Sequence, residues 1–203
     1  QYLCLNCFLK LPRTQFHLHS ENVMEQLFWG KVEEQQATSF FYYHKGSDYK
    51  KLLYELKYKG GKELGRYLGS VMANEIQLSS SFFRSIDLLI PVPLHPEKMK
   101  IRGYNQSEWI AKGVSDVVNI PIDTEHLIRV QFTETQTAKS TWERQKNIEN
   151  AFSVKNIEDL CGKHILLIDD VVTTGATLAS CARVLSVAPG VRFSLLTLAQ
   201  AEY

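Results

Sequence analysis

The chain has 203 residues, 44% of them hydrophobic and 22% charged, with 23 Lys and Arg against 22 Asp and Glu. This length and balance suit one α/β domain with a small appendage, and exclude a chain too polar to bury a core. A formal net charge of +1 neither argues for a nucleic-acid partner nor excludes one, because a local basic patch can sit on a neutral protein. No apolar run is long enough to span a membrane and no basic-then-apolar leader opens the chain, so a cytoplasmic location is expected.

Residues 1–35 mix Cys, His, Pro and aromatics without periodicity and read as an irregular appendage to a domain covering 36–203. Of four cysteines, Cys4 and Cys7 form a Cys-x-x-Cys, while Cys161 and Cys181 stand alone in apolar sequence. A disulfide framework is not expected in a chain of this size without a secretory signal. Residues 37–43 predict a strand. Tyr49, Leu52, Leu53 and Leu56 recur at helical spacing, which predicts a helix over 47–57. Gly60-Gly61 separates it from a second helix over 62–77.

From residue 86 strands alternate with helices. Ile86 to Ile90 is a short apolar strand ending in Pro91-Val92-Pro93. Asn105 is placed to cap a helix, with Glu108 three residues on as in a capping box, and Ile110, Val114, Val117 and Val118 facing the core. His164 to Ile168 predicts a second buried strand. A helix after Gly175 would bury Leu178, Cys181, Ala182 and Leu185, and Val191 to Ala199 predicts a closing strand. Such alternation implies a mostly parallel sheet flanked by helices on both faces.

The chemistry concentrates at 165–177. Four apolar residues, Asp169-Asp170, two valines and Thr173-Thr174-Gly175-Ala176-Thr177 predict a strand, a tight loop and a helix N-terminus. Ligands of open α/β sheets bind beyond the carboxyl ends of strands. A loop of small residues frees its backbone N–H groups for an anion, and the helix dipole favours negative charge there. Thr173, Thr174 and Thr177 add uncharged hydroxyl donors suited to a phosphate monoester. Asp169 and Asp170, expected exposed at the strand end, are acceptors suited to vicinal hydroxyls. Together they describe a ribose 5-phosphate; the plainer alternative is an apolar strand and glycine turn with solvated acids.

Residues 165–177 resemble, position for position, the 5-phosphoribosyl-1-diphosphate (PRPP) signature of type I phosphoribosyltransferases. Pro91-Val92-Pro93-Leu94-His95 followed by Arg102-Gly103-Tyr104-Asn105-Gln106 resembles the ComF (GntX-like) group within that fold, and less closely glutamine amidophosphoribosyltransferase. The resemblance implies a type I phosphoribosyltransferase fold, with Asp169 and Asp170 on the ribose hydroxyls and Thr173 to Thr177 around the 5′-phosphate. It implies a pyrophosphate loop at Val92, Pro93, Leu94 and His95, with Arg102 helping to neutralise the diphosphate. It also implies a flap over roughly 131–143, within the spacing Arg129, Thr135-Gln136, Arg144, Asn147, Ala151-Phe152. Lys139 and Arg144 are its candidate catalytic cations, closing over a cationic sugar that water would capture.

ComF-like proteins carry two Cys-x-x-Cys pairs that bind zinc together, the second followed by Leu-Pro. Cys4 and Cys7 before Leu11-Pro12 resemble that second pair, and the first would lie upstream of Gln1. Two thiolates do not complete a tetrahedral site. His17 and His19, on a strand-like segment, would point to opposite sides.

Two functions are compatible with this reading. One is a Mg²⁺-dependent enzyme that transfers the phosphoribosyl group to an unidentified acceptor and releases pyrophosphate, the ion held mostly by substrate oxygens. The other is a non-catalytic PRPP-binding module, or an accessory that handles single-stranded DNA for an uptake machinery. Lys57, Lys59, Lys62 and Arg66 are the best basic candidates for DNA, and a solvated helix face explains them equally well. A variable hood over 20–60 would choose the acceptor.

Overall fold

The computed structural model describes residues 2–44, 46–47, 49–58, 60–130 and 151–201. Its centre is a four-stranded sheet made of β1 (Glu34–Tyr43), β2 (Leu88–Pro91), β5 (His164–Val172) and β6 (Arg192–Ala201), in the order β1-β6-β5-β2. Every pairing in it is parallel. A separate antiparallel pair joins β3 (Leu127–Arg129) to β4 (Phe152–Val154).

The strand period of two explains the double covering. On β5, Leu166 and Ile168 enter one core while Ile165 and Leu167 enter the other. The first core is closed by α3 (Tyr49–Tyr58), α4 (Lys62–Ser79) and α6 (Gln106–Val118). The second is closed by α7 (Ala176–Leu185), which buries the expected Leu178, Cys181, Ala182 and Leu185.

Glycines let α4 and α6 approach backbone to backbone. A Cβ on Gly69 would stand 2.2 Å from the Ile110 carbonyl oxygen, and one on Gly113 would stand 1.9 Å from that of Arg66. That contact seats α6 so that its N-terminus meets the end of β5.

Residues 2–35 are not set apart from the core. Leu11 enters the first core, and Phe16, Met24 and Phe28 enter the second. The Tyr42 N–H donates to the Pro12 carbonyl at 2.8 Å and the Thr14 N–H to that of Phe40 at 3.1 Å. The segment thereby covers the β1 edge, which would otherwise present unpaired backbone groups. It also holds the short helices α1 (Leu5–Leu9) and α2 (Val23–Gln26), the latter with a full capping box from Asn22 and Glu25. His17 lies in a 3₁₀ turn rather than on a strand, and its Nε2 meets Ser79 Oγ at 2.9 Å.

Other expectations need adjustment. Pro96–Arg102 forms an unforeseen helix, α5, with Pro96 in its first turn and Gly103 closing it at φ 77°. The Asn105 side chain caps α6 by accepting from the Ser107 N–H, whereas Glu108 turns to Lys112 at 2.7 Å. Cys161 is exposed, while Cys181 is buried. Among the described residues no helix is long and apolar enough to cross a membrane.

Candidate functional site

β5 is an interior strand, so its carboxyl end opens at the middle of the sheet. Asp169 and Asp170 are the residues at which its burial gives way, and both are half-buried rather than exposed. Asp169 Oδ1 accepts from Ser107 Oγ at 2.9 Å and from the Asp170 N–H at 2.8 Å. Asp170 Oδ1 accepts from the Val171 N–H at 2.8 Å, and its Oδ2 pairs with Lys57 Nζ at 2.9 Å. Burial, followed by the neighbouring Asp170 charge, pushes the Asp169 carboxyl up to about 7, against the hydrogen bonds and the Lys57 charge. Asp169 thus gives up its proton less readily than an ordinary carboxyl, while Asp170 holds the ion pair with Lys57.

Beyond the acids the chain turns into α7 through Gly175, whose φ of 74° suits a residue without a Cβ. Any Cβ there would also meet the Phe28 ring at 2.9 Å, so the N-terminal segment forms the floor of the turn. Asp169 and residues 171–178 line a cavity of about 90 Å³. Thr173 and Thr174 are exposed, and Ala176 and Thr177 half-buried. Gly175 supplies no side-chain cap, so the first turn of α7 is suited to an anion. Lys31 Nζ approaches the Thr174 carbonyl at 3.3 Å, placing a cation beside the loop. A larger depression of about 710 Å³ beside Gln77, Arg84 and Ile120 carries neither acids nor a glycine turn.

On the other side of the acids lies the segment expected to be the pyrophosphate loop. Val92 is tied down: its N–H donates to the Ile168 carbonyl at 2.9 Å and its carbonyl accepts from Asn105 Nδ2 at 2.9 Å. Pro93 and Leu94 are half-buried. His95 caps α5, with Nδ1 accepting from the Glu97 N–H at 3.2 Å. Arg102 donates to Gln106 Oε1 at 2.9 Å and lies over the Tyr58 ring, 5.4 Å from its centroid. The Arg-Gly-Tyr-Asn-Gln string thus has local tasks. Gly103 ends α5, Tyr104 ties the Leu56 carbonyl and the Gly61 N–H together, and Asn105 links α6 to Val92.

Three cations at this end escaped the sequence reading of the site. Lys57 belongs by sequence to a basic cluster, and in the structure that cluster disperses. Lys57 meets Asp170, Lys62 lies over Tyr104 and Trp109, and Arg66 is matched by Asp116 at 2.6 Å; Lys59 lies outside the described residues. Lys98 shares one face of α5 with Arg102, and that four-residue spacing was its available signal. Burial, followed by the charges of Arg129, Arg102 and Lys57, lowers the Lys98 ammonium below its ordinary pKa, with Asp170 opposing. Arg129, packed over Phe152, is lowered by burial and feels the charge of Asp169. Lys139, Arg144 and the flap lie outside the described residues.

Cys4 and Cys7 are exposed free thiols, and the Cys7 N–H donates to Cys4 Sγ at 3.3 Å. Among the described residues no group of three or more His, Cys, Asp or Glu side chains could hold a metal.

No family model matches the chain. It is 30% identical over 136 residues to DNA utilization protein YhgH of Salmonella typhimurium, covering 66% of this chain and 59% of the relative. It is 34% identical over 140 residues to competence protein ComFC of Bacillus subtilis, covering 67% and 52%. Competence protein F of Haemophilus influenzae matches at 35% over 100 residues, covering 49% and 44%. The chain therefore spans less than two thirds of the length of these relatives. Among solved structures, glutamine PRPP amidotransferase from B. subtilis matches at 20% identity and a TM-score of 0.41, covering 64% of this chain and 25% of that one. A hypoxanthine phosphoribosyltransferase from Staphylococcus aureus matches at 15% and 0.38, covering 70% and 64%.

Proposed function

As the chain belongs to the ComF-like family of phosphoribosyltransferase-fold proteins, we propose that it binds PRPP at the carboxyl end of β5 and transfers the phosphoribosyl group to an acceptor with release of pyrophosphate. The observation that carries this reading is the junction of Asp169 and Asp170 with the roughly 90 Å³ cavity at the glycine-capped start of α7. The 5′-phosphate takes the cavity, receiving N–H groups of the turn and the hydroxyls of Thr173, Thr174 and Thr177. The 2′- and 3′-hydroxyls meet Asp169 and Asp170. C1 then faces α5, where Arg102 offers charge to the departing diphosphate. The acceptor attacks C1 as the C1–O bond to the diphosphate breaks, and the electron pair leaves with the diphosphate.

Mg²⁺ fits this reading only as an ion held chiefly by ligand oxygens with Asp169 and Asp170 beside it, where it would neutralise diphosphate charge. The two acids are hard oxygen donors, but they do not form a dedicated cage. Zinc would need ligands beyond Cys4 and Cys7.

Titration calorimetry with PRPP and Mg²⁺, compared with ribose 5-phosphate, tests the binding. PRPP should bind at least about tenfold more tightly, because only it engages the cationic end. Equal affinities would overturn the assignment. Pyrophosphate release measured against bases, amines and ammonia tests the transfer. The printed names of the relatives favour one other reading, a PRPP-binding accessory in DNA utilization or competence. Tight binding without release of pyrophosphate for any acceptor would select it.

A further inference from the structure

His126 takes no part in the candidate site, yet its ring is engaged on both sides. Its Nδ1 meets Asp123 Oδ2, and its Nε2 meets Asp159 Oδ2 at 3.2 Å. The two carboxylates come from different parts of the fold. Asp123 stands in the loop before β3, where its N–H donates to the Leu89 carbonyl of β2 at 2.9 Å. Asp159 belongs to the 3₁₀ turn Ile157–Leu160 that follows β4. His126 thus ties the entrance of the β3–β4 pair to the turn at its exit.

A neutral imidazole carries one N–H and can donate to only one carboxylate, whereas the imidazolium donates to both. Burial works against the charged ring, but hydrogen bonds and charge from Asp159 and Asp123 outweigh it and raise the pKa above the ordinary 6.5. These two acids are the charged groups that act on the ring among the described residues. Glu125 on the same loop and Glu158 in the turn are exposed. Lys155, just past β4, reaches the residue through its backbone N–H, which donates to the His126 carbonyl at 2.9 Å.

The two arms are unequal. Asp123 Oδ1 also accepts from the Glu125 N–H at 2.7 Å and the His126 N–H at 3.0 Å, and its side chain is 10% exposed. Asp159 is 65% exposed. When the ring loses its proton, the remaining N–H stays with the better-held Asp123. The Nε2 lone pair then faces a carboxylate that is free to turn to water.

We propose that His126 is a proton-operated clamp: the imidazolium holds the 3₁₀ turn against the entrance of β3, and loss of its proton releases the Asp159 arm while the Asp123 arm stays closed. The stability it lends is complete below the ordinary 6.5 and is lost as pH rises through the higher folded midpoint. The clamp is independent of the PRPP reading.

Nitrogen-detected NMR titration of the full chain, combined with hydrogen exchange of the turn, tests it. The imidazole signal missing from His126→Asn identifies the residue, and its midpoint in the wild type should lie above 6.5. Asp159→Asn should lower that midpoint by about 0.3–0.7 of a pH unit, an about two- to fivefold loss of proton affinity, the size of an exposed ion pair. The Cys161 N–H donates to the Glu158 carbonyl at 3.3 Å and reports on the turn. Corrected for intrinsic exchange, its protection in the wild type should fall about two- to fivefold between about pH 6 and about pH 9. His126→Asn keeps a donor for Asp123 and offers none to Asp159, so its Cys161 amide should show the lower protection at both pH values. The Lys155 N–H should be unchanged throughout, because the β3–β4 pairing does not depend on the clamp. A wild-type midpoint at or below 6.5 overturns the clamp, as does equal corrected protection of Cys161 at the two pH values. An equal loss at Lys155 also overturns it, because the whole β3–β4 pair would then be opening rather than one arm.

Discussion

Replacing Asp169 by asparagine separates ribose recognition from folding, because the carboxylate is held in a place that disfavours its charge. The asparagine Oδ1 keeps the geometry to accept from Ser107 Oγ and the Asp170 N–H, so the substitution leaves the local bonds in place. What it removes is a carboxyl whose folded pKa is about 7 against an ordinary 3.8. A raised carboxyl makes the folded state the better proton binder. The stability it lends is full below the ordinary value and is lost as pH rises through about 7. Between about pH 5.5 and about pH 8.5 that loss integrates to about 2 kcal/mol. Urea denaturation of wild type and Asp169→Asn at the two pH values measures it. Wild type should lose about 2 kcal/mol more than the variant across the interval. PRPP affinity of the variant should fall about tenfold to a hundredfold, as one charge-assisted acceptor is lost. Parallel pH profiles would refute the burial argument, and unchanged PRPP affinity in the folded variant would remove Asp169 from the ribose site.

Other perturbations probe the frame around that site. Gly113→Ala forces a Cβ to within 1.9 Å of the Arg66 carbonyl oxygen and 2.7 Å of the Ser70 nitrogen, both backbone atoms. The helices must part, so a loss of about 2–3 kcal/mol is expected in urea denaturation, and a loss under about 0.5 kcal/mol would refute the close packing. Burial lowers the pKa of His164, which meets Ser194 at 3.0 Å and Ser85 at 3.1 Å. Its neutral form belongs to the fold, so its contribution is present above the ordinary 6.5 and declines as pH falls below that value. An imidazole NMR titration placing the folded midpoint above 6.5 would contradict this. Dialysed samples of these 203 residues should hold less than stoichiometric zinc, and a chain extended upstream with another Cys-x-x-Cys should hold one ion. Elemental analysis decides, and one tightly held zinc in the shorter chain would revive a site built on Cys4 and Cys7.

Local patterns were enough for the chemistry that lies along the chain. A strand, two acids and a glycine turn into a helix are consecutive residues, so 165–177 could be read directly, and the structure sets Asp169, Asp170 and Gly175 in that order at the end of β5. The alternation of short apolar runs with helical periods likewise specified a parallel sheet covered on both faces. The degree of burial was not readable, because it depends on what other elements lay over the strand end. α6 brings Ser107 to Asp169, and α3 brings Lys57 to Asp170. Residues 1–35 lacked periodicity and looked detached, yet Phe28 supports the Gly175 turn and Pro12 covers the β1 edge. Such contacts join positions far apart in sequence, which neither a strand period nor a helix period records. The cationic end of the site arises in the same way. Lys57 is an ordinary basic residue in the sequence, and only the approach of α3 to the end of β5 pairs it with Asp170.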